Sequence, residues 1–252
     1  MAVRSAAFAA LIETDPLRKC ALVAALTAGA VDPLPPDCDW HRVPGRPARP
    51  PLVRPRDVPR RGLGSAQGRA ALVHAVAHIE FNAINLALDA VCRFDGLPDA
   101  FYADWISVAQ DEARHFCMLR ERLLQLGYEY GDLPAHNGLW EAAEKTAGDA
   151  LVRMALVPRV LEARGLDVTP GIIARLREIG DTPTLARLEV ILAEEVRHVA
   201  IGTRWFRHLC AERGLEPAST FRALLDAHGV RLHPPLNRAA RFEAGFVDAE
   251  LS

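Results

Sequence analysis

One five-residue pattern occurs twice, as Asp111-Glu112-Ala113-Arg114-His115 and as Glu194-Glu195-Val196-Arg197-His198. Each copy interleaves two pairs of residues three apart, and such residues share a helix face. Glu112 with His115, and Glu195 with His198, can therefore each present a carboxylate and an imidazole to one cation. Asp111 with Arg114, and Glu194 with Arg197, are offset by one residue and can brace the first pair. With 16 Glu and 9 His in 252 residues, chance alone gives roughly 0.6 Glu-x-x-His strings. Adding the flanking acid and the arginine lowers the expectation to roughly 0.01. Two copies of the longer string thus constrain the chain to present two matched helix faces.

Each copy has a lone glutamate upstream. Glu80 falls on the apolar line of Val73, Val76, Ile84, Ala87 and Val91, and Glu162 on the line of Leu151, Ala155 and Pro158. Glu112 shares a line with Trp105, Val108 and Leu119, and Glu195 with Leu188, Ile191, Gly202 and Trp205. Four carboxylates therefore point where hydrophobic residues belong. A buried ionised carboxylate must be paired, protonated or metal-bound. The only lysines are Lys19 and Lys145, and most arginines lie off these lines, so buried cationic side chains are not expected as counter-charge. Two divalent ions would cancel the four charges, with neutral His115 and His198 completing the ligand sets. The separations agree: Glu80 to Glu112 spans 32 residues and Glu162 to Glu195 spans 33. This repeat suggests two helix hairpins, each giving half of one site. The alternative is four helices carrying structural ion pairs.

A metal-ligating histidine needs its second ring nitrogen anchored. Asp111 and Glu194 are the expected anchors, each reaching the histidine of the opposite copy, with Arg114 and Arg197 holding the acids. His74 and His78 are read as structural or cleft-lining, and His136 as a helix cap. Tyr102, Tyr128 and Tyr130 are not placed for a radical. Trp105 and Trp205 are read as core.

Other features bound the class. Half of the residues are apolar, the net charge is −2 and no strand-like alternation of useful length occurs. The five cysteines (Cys20, Cys38, Cys92, Cys117 and Cys210) form no C-x-x-C pair, which fits reduced thiols in the cytoplasm. No uninterrupted 18-residue apolar run is present, so no membrane span is expected. Glu13 and Asp15 argue against a signal peptide.

Residues 3–28 read as one alanine-rich helix. Residues 32–64 carry Pro33, Pro35, Pro36, Pro44, Pro47, Pro50, Pro51, Pro55 and Pro59, which exclude helix. Seven arginines and one aspartate lie between 42 and 61. An extended strap pairing with surface acids is expected there, with a basic arm for a polyanion as the alternative. Long helices are expected over 65–94, with Ser65 as N-cap, and 99–126. A short helix covers 139–147, and a third long helix, bent at Pro158, runs to 164. A separate short helix covers 170–179, a fourth long helix starts at Asp181-Thr182-Pro183 and ends by 213, and a fifth covers 217–228. The expected organisation is an N-terminal helix and strap (1–64), a four-helix bundle with a di-metal site (65–213) and a C-terminal helix and tail (214–252).

The repeated strings resemble those of the ferritin-like di-iron carboxylate proteins: soluble fatty-acyl desaturases, bacterial hydrocarbon monooxygenases and the tRNA-modifying di-iron hydroxylase. The resemblance covers 65–213 at Glu80, Glu112, His115, Glu162, Glu195 and His198. The stretches His78-Ile79-Glu80, Tyr130-Gly131-Asp132-Leu133-Pro134-Ala135-His136 and Val157–Asp167 resemble an uncharacterised bacterial ferritin-like family more closely still. What this implies is an all-α, ferritin-like four-helix bundle holding two iron ions, with manganese or a mixed pair as alternatives. Glu112 and Glu195 would bridge the ions, and Glu80 and Glu162 would be terminal ligands. The implied activity is an O2-dependent oxidase or hydroxylase served by an external electron donor. Its substrate would be a small molecule or a modified RNA; the oligomeric state is open, a dimer included. The alternatives are a ferroxidase or iron store, and an interaction protein with a vestigial site.

Overall fold

The computed structural model describes residues 3–27, 29, 31–34, 38–59 and 62–251. Pro35, Pro36, Arg60 and Arg61, part of the expected strap, lie outside the described residues. Two compact units, 1–140 and 141–252, make up the chain. Both are helical, and among the described residues the one β feature is an isolated parallel bridge between Leu52 and Ala135.

The first unit begins with α1 (Val3–Leu11) and α2 (Pro16–Ala24). The single helix expected over 3–28 is therefore corrected. Asp15 caps α2 by accepting a hydrogen bond from Arg18 N at 2.8 Å, and Pro16 sits at the first helical position. A residue before proline avoids the helical region, and that breaks the run. Next come the two long helices, α3 (Ala66–Arg93) and α4 (Asp99–Gln125), joined by residues 94–98 and packed along their length. Ser65 Oγ caps α3 at Gly68 N, 3.0 Å away. α4 ends at Gly127 (φ 81°), where Tyr128 N bonds back to Leu123 O at 3.0 Å, the left-handed stop that glycine permits. α3 has the length and hydropathy of a membrane-crossing helix, but 72% of its most apolar 18-residue stretch is buried inside the protein.

The described part of the proline-rich segment is an extended strap with two short 3-10 turns, Trp40–Arg42 and Pro55–Asp57. Lys19, fully buried on α2, donates from Nζ to Leu11 O, Gly45 O and Asn85 Oδ1, which ties the strap to α1 and α3. Further on, Val53 N donates to Ala135 O (2.8 Å) and Ala135 N to Pro51 O (3.1 Å). Three of the strap arginines have partners in the same unit: Arg49 reaches Asp132 at 3.5 Å, Arg54 pairs with Asp57 at 2.7 Å, and Arg46 lies over the Trp140 ring. α5 (Gly138–Lys145) follows His136, whose Nδ1 accepts from Gly138 N at 3.2 Å.

The second unit contains α6 (Ala150–Leu156), a π-helical turn (Val157–Glu162), α7 (Ala163–Glu178), α8 (Thr182–Glu212), α9 (Pro217–Ala227) and α10 (Arg238–Glu243). α6, the π turn and α7 form one bent rod that packs against α8. Pro158 has no N–H to give the ladder, and the wider turn absorbs the interruption: Ala163 N reaches back to Pro158 O. Gly202 of α8 makes room for it, since a Cβ there would sit 2.4 Å from Pro158 Cβ and Cγ.

The separate helix expected over 170–179 is also corrected, because α7 runs through Pro170. A proline at 170 cannot donate to Leu166 O, and Asn237 Nδ2 donates to that carbonyl instead, at 3.2 Å. α10 was not expected at all. Its Arg241 is buried and clamped to Asp167 at 2.7 Å.

Candidate metal centre

α3 and α4 carry the first half of the candidate site. Glu80 lies mid-way along α3, and Glu112 and His115 lie one turn apart on α4. All three are buried, at 3%, 1% and 0% exposure. His115 Nδ1 is 3.1 Å from Glu80 Oε2 and 3.5 Å from Glu112 Oε2. One donor atom from each residue lies within 4.8 Å of the other two. Burial by itself would lower the His115 pKa. The Glu112 and Glu80 carboxylates outweigh it and push the pKa up to about 11. Two carboxylates around one imidazole in a dry interior thus set up a strong demand for positive charge. A proton on the imidazole or a metal ion between the three groups can meet it. Two oxygens and a nitrogen suit iron or manganese better than thiolate-seeking metals.

α8 and the π turn carry the second set. His198 is fully buried, and its Nδ1 lies 3.4 Å from Glu195 Oε1, whose side chain is 12% exposed. Glu162 closes the π turn and is half-buried. Its apolar helix-mates Leu151, Ala155 and Pro158 are buried as the sequence suggested. The π turn adds a residue to the register and rotates Glu162 away from the line that a regular helix would give.

Of the bracing residues, Asp111 is half-buried and Arg114 Nη2 holds its Oδ1 at 2.5 Å. Glu194 is half-buried and Arg197 exposed. His74 and His78 stand outside the first cluster. His74 Nε2 accepts from Gly131 N at 2.9 Å. His78 is bonded to the Tyr130 hydroxyl (2.9 Å) and His136 O (3.1 Å). Burial pushes both pKa values down to about 4, so both imidazoles are neutral near pH 7. Tyr130 packs on the Phe81 and Phe116 rings, the sequence neighbours of Glu80 and His115. Tyr102 donates its hydroxyl proton to Phe94 O at 3.0 Å, a structural role. Trp105 and Trp205 are buried core residues.

Buried cations are not expected as counter-charge for the four carboxylates, yet several cationic side chains are buried elsewhere. Arg4, Lys19, Arg122, Arg153, Arg159 and Arg241 are all buried. Arg159, in the π turn, pairs with Glu250 at 2.7 Å and lies 4.2–4.5 Å from the ring centres of Phe206, Phe221 and Phe246. Arg4 donates to the carbonyls of Val91 and Cys92 near the end of α3. Arg4, Arg159 and Arg241 serve as anchors, and the sequence hid them because their partners lie tens of residues away. Pro158 was the one local signal of the unusual turn.

Residues 12–252 match the family described as "Protein of unknown function (DUF455)". An uncharacterised protein of Haemophilus influenzae is 46% identical over 215 residues, covering 81% of this chain and 74% of that protein. No solved structure matches the chain.

Proposed function

The chain belongs to the DUF455 family, and we propose that it is a di-metal carboxylate protein of ferritin-like type, with iron as the metal. Its proposed ligands are Glu80, Glu112 and His115, with the first copy of the string, and Glu162, Glu195 and His198, with the second. The observation that carries this proposal is the buried Glu80–Glu112–His115 cluster, together with the second copy of the same string on α8. Four carboxylates balance two divalent ions, and the two imidazoles complete the sets without added charge. Asp111 and Glu194 orient the histidines, with Arg114 and Arg197 holding those acids.

When bound, a pair of redox-active ions supplies the activation of O2 on which an oxidase or hydroxylase depends. The chain's own part is to fix the donor set, keep water from it and hold His115 ready to release its proton to an incoming ion. The enzyme draws electrons from a separate donor and acts in the cytoplasm on a small molecule or a modified RNA. The competing activity is that of a ferroxidase or iron store without an organic substrate.

O2 uptake by iron-loaded protein separates the two. Uptake that continues in proportion to added reductant supports an oxidase or hydroxylase. A single uptake in fixed ratio to the iron(II) added, unchanged by reductant, supports the ferroxidase. No uptake at all would remove the oxygen chemistry.

A further inference from the structure

α2 lies along α4 in antiparallel register. At one end, Gln110 Nε2 of α4 donates to Leu26 O at 2.9 Å and lies 3.4 Å from Val23 O, at the C-terminal end of α2. At the other end, Pro16 and Leu17 of α2 face Phe116 and Arg120 of α4 across a cleft of about 350 Å³. Between these contacts the antiparallel register brings Cys20 of α2 level with Cys117 of α4, and the two thiols face each other. Cys20 is buried and Cys117 is exposed, and both are reduced.

We propose that Cys20 and Cys117 are a redox-active dithiol, oxidised by peroxide to a disulfide that staples α2 to α4. The arrangement supplies what the chemistry needs: one sulfur open to solvent, and a second held against it and shielded. In the first step, peroxide oxidises the Cys117 thiol to a sulfenic acid and releases one water. In the second, the Cys20 sulfur attacks the Cys117 sulfur, the S–S bond forms and the hydroxyl leaves as a second water. The two thiols give up two electrons in all, and the peroxide accepts them. A low-molecular-weight thiol or dithiol reverses the reaction by exchange. The bond closes a loop of nearly 100 residues (117 − 20 = 97). It also fixes two walls of the cleft within a turn of its lining. Neither step uses the metal centre.

The test is peroxide treatment of the folded, full-length protein, followed by acid quenching, thiol counting in denaturant and peptide mapping. The five thiols are expected to fall by two, with Cys20 and Cys117 recovered as one linked peptide pair and full reversal by dithiothreitol. In C20S, sulfenic acid on Cys117 is expected to accumulate and react with dimedone; in C117S, the four remaining thiols are expected to survive. The oxidised wild-type protein is expected to melt at a higher temperature than the reduced form, and the two single variants to show no such shift. Retention of all five thiols would overturn the proposal, as would linkage of Cys117 to any sulfur other than Cys20 or equal oxidation of Cys20 in C117S.

Discussion

Gly202 and Gly171 are both helical glycines, yet they demand opposite things of a side chain. A Cβ at 202 would sit 2.4 Å from two carbons of Pro158, whereas a Cβ at 171 meets nothing within 4 Å. Gly202→Ala is therefore expected to destabilise by about 1–3 kcal/mol through overpacking. Gly171→Ala should stabilise by about 0.5–1 kcal/mol through helix propensity. Urea unfolding of the two variants checks both signs. His74 gives a pH dependence at the same scale. Burial lowers its folded pKa to about 4, well below the ordinary value. Between pH 4 and 6.5 the unfolded chain thus binds more protons than the folded one, and stability rises with pH. Acidifying through that window should cost up to about 3 kcal/mol from this residue alone. His74→Gln, which removes the titrating group, should show a flatter stability profile over the same range.

The π turn is tied down by a partner distant in sequence. Arg159 is fully buried within it, among three phenylalanine rings and against Glu250. Removing one member of a buried ion pair leaves the other charge stranded, so Glu250→Gln or Arg159→Met should each cost about 3–5 kcal/mol. The double variant should cost clearly less than the two together, which a double-mutant cycle by chemical denaturation measures. The same elements show what the sequence could and could not disclose. α3, α4, α8 and α9 were legible because their caps and stops are local: Ser65 before α3, Gly127 after α4, Asp181 and Gly214 around α8, Pro217 at the start of α9. The passage of α7 through Pro170 was not legible, because the carbonyl that the proline leaves open is taken by Asn237, 71 residues away. Buried Arg159 was hidden for the same reason, its partner being 91 residues on. Glu80, Glu112 and His115 were legible because regular helices keep a carboxylate on its apolar line. Glu162 was only half so, because the π turn breaks that periodicity.

For the molecule as a whole, a metal held at the candidate centre would tie stability to its concentration. A ligand that binds the folded chain alone raises its stability in proportion to the logarithm of its concentration over the dissociation constant. Iron(II) or manganese(II) should therefore raise the melting temperature of metal-free protein, and a chelator should reverse the rise. The most direct test is the number of iron(II) ions bound per chain, measured by anaerobic titration of wild type and of Glu80→Gln, His115→Ala, Glu162→Gln and His198→Ala. The account predicts two tight sites in the wild-type protein and weakened or lost binding in every variant. No stoichiometric binding, or binding that these substitutions leave unchanged, would contradict it.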